Sequence, residues 1–372
     1  MNLPDLRKAD ISGKTVFLRA DLDVPLSKLK INNEELIIED DTRLNAALST
    51  IEYLLKQNCK IVLAGHLGRP KGVDKSLSLE PVAKWFFKEF KIRNLKFEFK
   101  LKIENLKFIE LGDFDGWQIA NNLFILENLR FHEGEEQNDP EFSKKLASLA
   151  EIYVNDAFAM THRSHASIVG ITKFLPHFAG FHLQKEVENL TLAMENPKRP
   201  LVVIIGGKKI ETKLPLVEKM HRIADYVLVG GKIAEESKAL VKVAHEKINP
   251  DASGRKAVLI IADATPDGSD ITDKSAENFL QILNLAKTIV WNGSMGIIGG
   301  KSEPLASEKG TKKIAEGILA TNAYTIVGGG DTVEYLNKLG VLSKFSFAST
   351  GGGAMLAFLS GEKLPGLEAL LR

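Results

Sequence analysis

Short runs of β-branched and aromatic residues recur along the whole chain, and in its second half most of them break off into glycines: PLVVIIGG, DYVLVGG, YTIVGGG and FSFASTGGG. An uninterrupted run such as VVII offers no polar face, so both sides of the strand must be covered, as in a parallel sheet with helices on either side. Amphipathic stretches such as DTRLNAALSTIEYLLKQN lie between the runs and supply those helices. In the first half the strands are expected at KTVFLRADL, KIVLAGHLG, LFILENLRF and near EIYVNDAF, and in the second AVLIIAD and TIVWNGSM join the four glycine-ended runs. Parallel α/β sheets keep their ligand crevice beyond the carboxyl ends of the strands, which is where these glycines fall.

A chain of 372 residues is long enough for two cores. The segment LQKEVENLTLAMENPKRP, Leu183 to Pro200, reads as a helix stopped by two prolines and is the expected joint between them. The expected fold is α/β with two lobes, each a doubly wound, mainly parallel sheet flanked by helices. Residues 1–182 form the first, 183–200 the interdomain helix and hinge, and 201–357 the second.

A net charge of +1 provides no overall field for nucleic acid or a membrane surface, so neither partner is expected and any anion site must be local. The single cysteine, Cys59, sits in an apolar context and reads as structural. The stretch MNLPDLRKADISGK lacks the apolar core of a signal peptide, and no long apolar run follows, so a cytoplasmic protein is expected. The stretch GSMGIIGGKS ends like a phosphate-binding P-loop, but that motif would need a glycine at position 295, which is Met295.

Local clusters are easier to read. IIGGKKIETK places Lys209 and Lys213 four residues apart after a strand and a glycine pair, so they are either a solvated basic face or a phosphate rail at a helix start. VGGGDT repeats the junction with Asp331, which could cap the next helix or serve as a hard oxygen ligand for Mg2+. STGGGAM is a third glycine-led junction. In the first half, RADLDVP, GHLGRPKG, ENLRFHEGEE and DAFAMTHRSHAS bring Arg19, Asp21, Asp23, His66, Arg69, Arg130 and Arg163 to strand ends, and Arg43 opens the first long helix. Arginines gathered there suit a small ligand with carboxylate and phosphate groups. His162 and His165 lack the glutamate of a zinc-protease pattern, and no Gly-x-Ser-x-Gly elbow or Cys/His pair offers a covalent nucleophile.

In this order, RADLDVP, GHLGRPKG, ENLRFHEGEE, VNDAFAMTHRSHAS, GGKKIETK, WNGSMG, GGGDT and STGGGA resemble the phosphoglycerate kinase family over essentially the whole chain. The resemblance implies reversible phosphoryl transfer between 1,3-bisphosphoglycerate and Mg-ADP, giving 3-phosphoglycerate and ATP in a glycolytic, monomeric kinase. It implies that Asp21, Asp23, Arg43, His66, Arg69, Arg130 and Arg163 bind the phosphoglycerate. It places the nucleotide at Gly207, Lys213, Gly230, Gly231, Asn292, Gly328, Gly329, Gly330, Asp331 and Thr332, with Asp331 on the metal. Arg43, Lys209, Lys213, Gly351 and Gly353 would act on the transferred group, and the tail from 358 to 372 would pack back on the first lobe. Both phosphoryl acceptors are ionised at neutral pH, so no general base is needed, and closure about the hinge would exclude water.

The chain also departs from the family. Asp23 stands where an asparagine is usual, and Gly299 where a glutamate meets the ribose; Glu303 is a candidate replacement. Ser294, Ile298 and Thr212 are further departures, and GIIGGKS reads as the altered edge of the ribose pocket. The alternative function is therefore a non-catalytic, phosphoglycerate-binding paralogue.

Overall fold

The computed structural model describes residues 1–28, 36–97, 101–207, 210–234, 257–298 and 307–372. Contacts along the chain divide it into two units, Met1–Glu186 with Leu364–Arg372, and Val187–Lys363.

The first unit is built on β1 (Thr15–Arg19), whose residues are buried on both faces from Val16 onward. Next come β2 (Leu26–Lys28) and β3 (Leu36–Ile38), an antiparallel pair apart from the main sheet. The main sheet adds β4 (Lys60–Ala64), β5 (Lys107–Leu111), β6 (Phe114–Ala120), β7 (Leu123–Leu126), β8 (Ile152–Asn155) and β9 (His177–Ala179), in the order β5-β6-β7-β4-β1-β8-β9. β1 pairs in parallel with β4 on one side and β8 on the other, and Arg19 lies opposite both Ala64 and Asn155. Whatever follows those residues therefore leaves the sheet at one edge.

Helix α1 (Thr42–Lys56) buries Leu44, Ala47, Leu48, Ile51, Leu54 and Leu55, a three-and-four spacing that makes one apolar stripe. Helix α2 (Glu80–Phe97) adds Val82, Phe86 and Phe90 to the same core. Each such side chain is worth roughly 1.5–3 kcal/mol of burial. The pair β5 and β6 is antiparallel, against an expectation built only on parallel runs. FIELGDFDGW alternates exposed positions with half-buried ones before the turn at Gly112 and buried ones after it, the signature of an edge hairpin with one wet face. Short helices α3 (Glu133–Glu136) and α4 (Pro140–Ala147) follow β7.

Helix α5 (Phe181–Glu195) occupies the stretch read as a joint and ends ahead of Pro197, whose ring disfavours helical geometry in the residue before it. The unit boundary falls inside it, after Glu186.

The second unit has β10 (Leu201–Ile205), β11 (Tyr226–Val229), β12 (Val258–Ile261), β13 (Thr288–Asn292), β14 (Tyr324–Gly328) and β15 (Phe347–Ala348), in the order β12-β11-β10-β13-β14-β15 with parallel pairs throughout. The chain winds outward from β10 one way and then, from β13, the other, so the strand order reverses between these two strands. Its described helices are α6 (Ile210–Ile223), α7 (Asp273–Leu283), α8 (Lys309–Leu319), α9 (Gly330–Lys338) and α10 (Gly353–Leu359). Trp291, Phe279, Ile314 and Leu336 centre its core. The last helix, α11 (Pro365–Leu370), belongs to the first unit, where Gly366 donates to the Thr161 carbonyl; residues 358–363 stay with the second.

The start of α5 is held by Asp156, the residue after β8. Its Oδ1 accepts the backbone N–H groups of His182 and Leu183 at 2.9 and 3.1 Å, satisfying donors that a helix start leaves open. Burial pushes this carboxyl from 3.8 up to about 7. The folded protein thus binds that proton more tightly than the unfolded chain, and this group's contribution to stability, full below about pH 4, is lost as pH rises through about 7. Asp156→Asn retains a capping oxygen without the ionisation. Urea midpoints at pH 5 and pH 8 should show the variant gaining on the wild type at the higher pH, whereas Asp156→Ala should lose about 1 kcal/mol or more at both. A wild-type-to-Asn difference that is independent of pH would contradict this reading.

Candidate functional site

In the first unit the loops after β1, β4, β7 and β8 meet at one sheet edge. Asp23 is its hub: Oδ1 accepts the Gly68 N–H at 2.9 Å, and Oδ2 lies 3.6 Å from Arg43 Nη1 and 3.8 Å from His66 Nε2. Arg43, from the first turn of α1, also donates to the Asp23 carbonyl at 2.6 Å. Arg130 donates to the Gly68 carbonyl at 2.6 Å and has its Nε 3.1 Å from a Glu136 carboxylate oxygen. Asn128 ties these loops together, donating to the Leu67 and Leu77 carbonyls at 2.8 and 2.9 Å and accepting the Arg130 N–H at 3.1 Å.

Asp21 reaches across the point where strand order reverses between β1 and β8, accepting the Ala159 N–H through Oδ2 at 2.9 Å. Its other oxygen is buried with no hydrogen-bond partner. Burial raises the Asp21 carboxyl, with Arg43 opposing. His66 is 4% exposed. Burial first, then the charges of Arg19, Arg130 and Arg43, hold its imidazole well below the ordinary range, so it is neutral. Asp21, Asp23, Arg43, His66 and Arg130 are thus gathered in one place, while Arg69 and Arg163 stand exposed. His165 faces Glu135 at 3.6 Å.

Beneath this cluster lie Arg19, which the sequence marks only as one of the strand-end arginines, and two residues it does not mark. Arg19 is fully buried, Glu135 is 1% exposed, and Ser167 joins them. Glu135 is one of several acidic residues in ENLRFHEGEE, and only its position against Ser167 singles it out.

In the second unit, the reversal between β10 and β13 brings glycine turns into backbone contact. Gly207 donates to the Ser294 carbonyl at 2.9 Å, and a Cβ at Gly231 would stand 2.6 Å from the Gly207 nitrogen. Gly293 has φ +95°, and any side chain there would collide with the Gly206 carbonyl. Gly230 faces Met295, and Gly328 faces Met355.

Lys213, on α6, is buried and donates to Asn292 Oδ1 at the end of β13; Asn292 Nδ2 in turn meets Met355 Sδ of α10 at 3.5 Å. The rail reading of the lysine pair thus has an observed partner for one member, an asparagine. Lys209, Gly299 and Glu303 lie outside the described residues.

The cap of α9 is Gly329, at φ +96°, with Gly330 opening the helix. This corrects the capping expectation for Asp331, which sits within the first turn and is exposed. Thr332 is buried with its hydroxyl unpaired. Gly352 caps α10, with Gly351 before it and Gly353 as its first residue. One exposed carboxylate at a glycine-led helix start fits Mg2+, which takes few protein ligands and shares phosphate oxygens.

Burial lowers the Lys213 ammonium to about 8, with Asp331 pushing the other way. Above that pH the unfolded chain holds the proton and the folded protein does not, so this residue favours folding increasingly as pH rises from about 8 toward its ordinary 10.5. Denaturation of the wild type and Lys213→Met at about pH 7.5 and 9.5 should show the difference shifting toward the wild type at the higher pH; a shift the other way contradicts the assignment.

A model described as phosphoglycerate kinase matches residues 6–251 and 238–362. The cytosolic phosphoglycerate kinase of Triticum aestivum is 37% identical over 410 residues, covering 98% of this chain and 97% of that protein. The phosphoglycerate kinase of Dictyoglomus turgidum is 38% identical over 409 residues, covering 98% of each. Among solved structures, phosphoglycerate kinase from Coxiella burnetii superposes with a TM-score of 0.77 at 29% identity, covering 100% of this chain and 99% of that one. The Pyrococcus horikoshii OT3 enzyme gives 0.76 at 29%, with 99% and 98% covered.

Proposed function

The chain belongs to the phosphoglycerate kinase family, and from that membership we propose how its two clusters share the reaction. The protein is a phosphotransferase with a carboxyl group as acceptor, moving a phosphoryl group reversibly between 1,3-bisphosphoglycerate and ADP to give 3-phosphoglycerate and ATP. The family match over nearly the whole chain carries this reading, and no observation favours the non-catalytic paralogue.

The first unit takes the phosphoglycerate. Arg43 and Arg130 offer charge-assisted donors to its anionic groups, His66 a neutral donor, and Asp21 an unpaired carboxylate oxygen for a hydroxyl. Arg69 and Arg163 have exposed side chains within the same loops and complete the set. The second unit takes the nucleotide. Lys213, Asn292 and the glycine turns Gly207, Gly230, Gly231 and Gly328–Gly330 line the carboxyl edge of its sheet, with Thr332 behind. Asp331 would hold Mg2+, which when bound neutralises phosphate charge. The turn Gly351–Gly353 that opens α10, with Lys209, would meet the transferred phosphoryl group. Monomeric, cytoplasmic operation on these small molecules, without nucleic acid or membrane, belongs to the same proposal; no described helix is long and apolar enough to cross a membrane.

A coupled assay with 3-phosphoglycerate, Mg2+ and ATP, GTP or pyrophosphate tests the proposal. Turnover with a nucleoside triphosphate is expected, and binding of phosphoglycerate without turnover on any donor would overturn it. Asp23 supplies a second test, because its carboxylate already occupies Arg43 and faces His66. Asp23→Asn preserves the acceptor for Gly68 but removes a charge that competes with the ligand. The KM for 3-phosphoglycerate should fall by roughly three- to tenfold, less so at high salt; an unchanged or higher KM would show that Asp23 does not compete.

A further inference from the structure

Arg19 is wholly buried at the end of β1, beneath the ligand-facing residues rather than among them. Three contacts fix its guanidinium: Nε donates to Ser167 Oγ at 2.9 Å, Nη1 donates to its neighbour's carbonyl at Ala20, and Nη2 lies 3.1 Å from His66 Nδ1. Its charge is balanced through the same network. Ser167 gives its hydroxyl proton to Glu135 Oε1 at 2.6 Å, and the Ser167 N–H meets Oε2 at 2.9 Å. Burial alone would raise the Glu135 carboxyl, but His165, Arg19 and Ser167 outweigh it and hold it low, so it stays ionised opposite the arginine.

An arginine has donors and no acceptor. The ring nitrogen it addresses must therefore offer a lone pair, and the proton of a neutral His66 must sit on Nε2, the atom on the Asp23 side. We propose that Arg19 is a positioning residue that locks His66 into the Nε2–H tautomer, so that a neutral imidazole presents one N–H donor to the phosphoglycerate. The inference rests on the reading of the first unit as the phosphoglycerate site, but its core, the tautomer, does not depend on turnover.

The charged groups around the ring support a fixed neutral state. Arg19, Arg43 and Arg130 approach from β1, α1 and the loop after β7, and His165 from the segment after β8; Asp23 faces Nε2 as the carboxylate, with Glu135 engaged by Ser167 and His165. A positive charge on the imidazole would be repelled by all three arginines. The donor is therefore available at constant strength through neutral pH, where a free histidine would be half-titrated near 6.5.

The test uses the full chain, uniformly 15N-labelled and without substrate, in long-range proton–nitrogen spectra from about pH 5.5 to 8, with the His66 signals assigned by their loss in His66→Gln. An unprotonated Nδ1 and a protonated Nε2 with unchanged shifts across the range are expected. An Nδ1–H tautomer, or titration near the ordinary value, would overturn the proposal whether or not the chain is an active kinase. In a folded Arg19→Met variant, His66 should begin to titrate and populate both tautomers. The KM for 3-phosphoglycerate should then rise about tenfold and become pH-dependent while kcat changes less. A folded variant that kept the wild-type tautomer and a flat KM profile would show that Arg19 serves packing alone. If the variant does not fold, the wild-type spectrum decides.

Discussion

The parallel pairing of one central strand with two neighbours organises each unit. In the first, Arg19 stands opposite Ala64 and Asn155, so Asp21 and Asp23, Gly65 to Gly68 and Asp156 to Ala159 all leave the sheet at one level. In the second, Ile205 stands opposite Val229 and Asn292, and the glycines that follow are forced within backbone contact. Parallel hydrogen bonding tolerates no reversal of direction, so residues distant in sequence are delivered to a common edge. Both clusters depend on that register.

Buried charge is the second constraint. An ionised group taken out of water must be paired or must lose its charge. Arg19 and Glu135 solve this through Ser167, and His66 solves it by staying neutral. Lys213 keeps an Asn292 partner with its ammonium pulled down to about 8. Asp21 has one satisfied oxygen and one without a partner, and Thr332 has a buried hydroxyl in the same condition. Such unsatisfied groups are rare in a finished core and are expected where a ligand completes the bonding.

Much of this was legible in the sequence. The ten runs read as strands are strands, because continuous apolar segments bounded by glycine or charged residues leave few other ways to bury both faces. Asp23, Arg43, His66 and Arg130 were visible as polar residues directly after such runs or opening the helix that follows one, and the structure brings them into one cluster. The antiparallel edge hairpin of β5 and β6 was missed, because its alternating segments, half of them exposed, do not resemble the continuous runs beside them. Residue type offered Asp331 as a cap for α9 or a metal ligand, whereas the backbone bend at Gly329 decides where the helix begins.

By itself, the sequence determined which segments form strands, which side chains reach the strand ends, and which family the chain resembles, since these follow from local periodicity and ordered motifs. Only the tertiary structure decided the roles beneath the surface. Arg19 reads as one more strand-end arginine and Glu135 as one of several acidic residues; buried and joined through Ser167, they hold the guanidinium against His66. Periodicity encodes which face is covered, but the partner of a buried charge is set by distances between strands that no local pattern specifies.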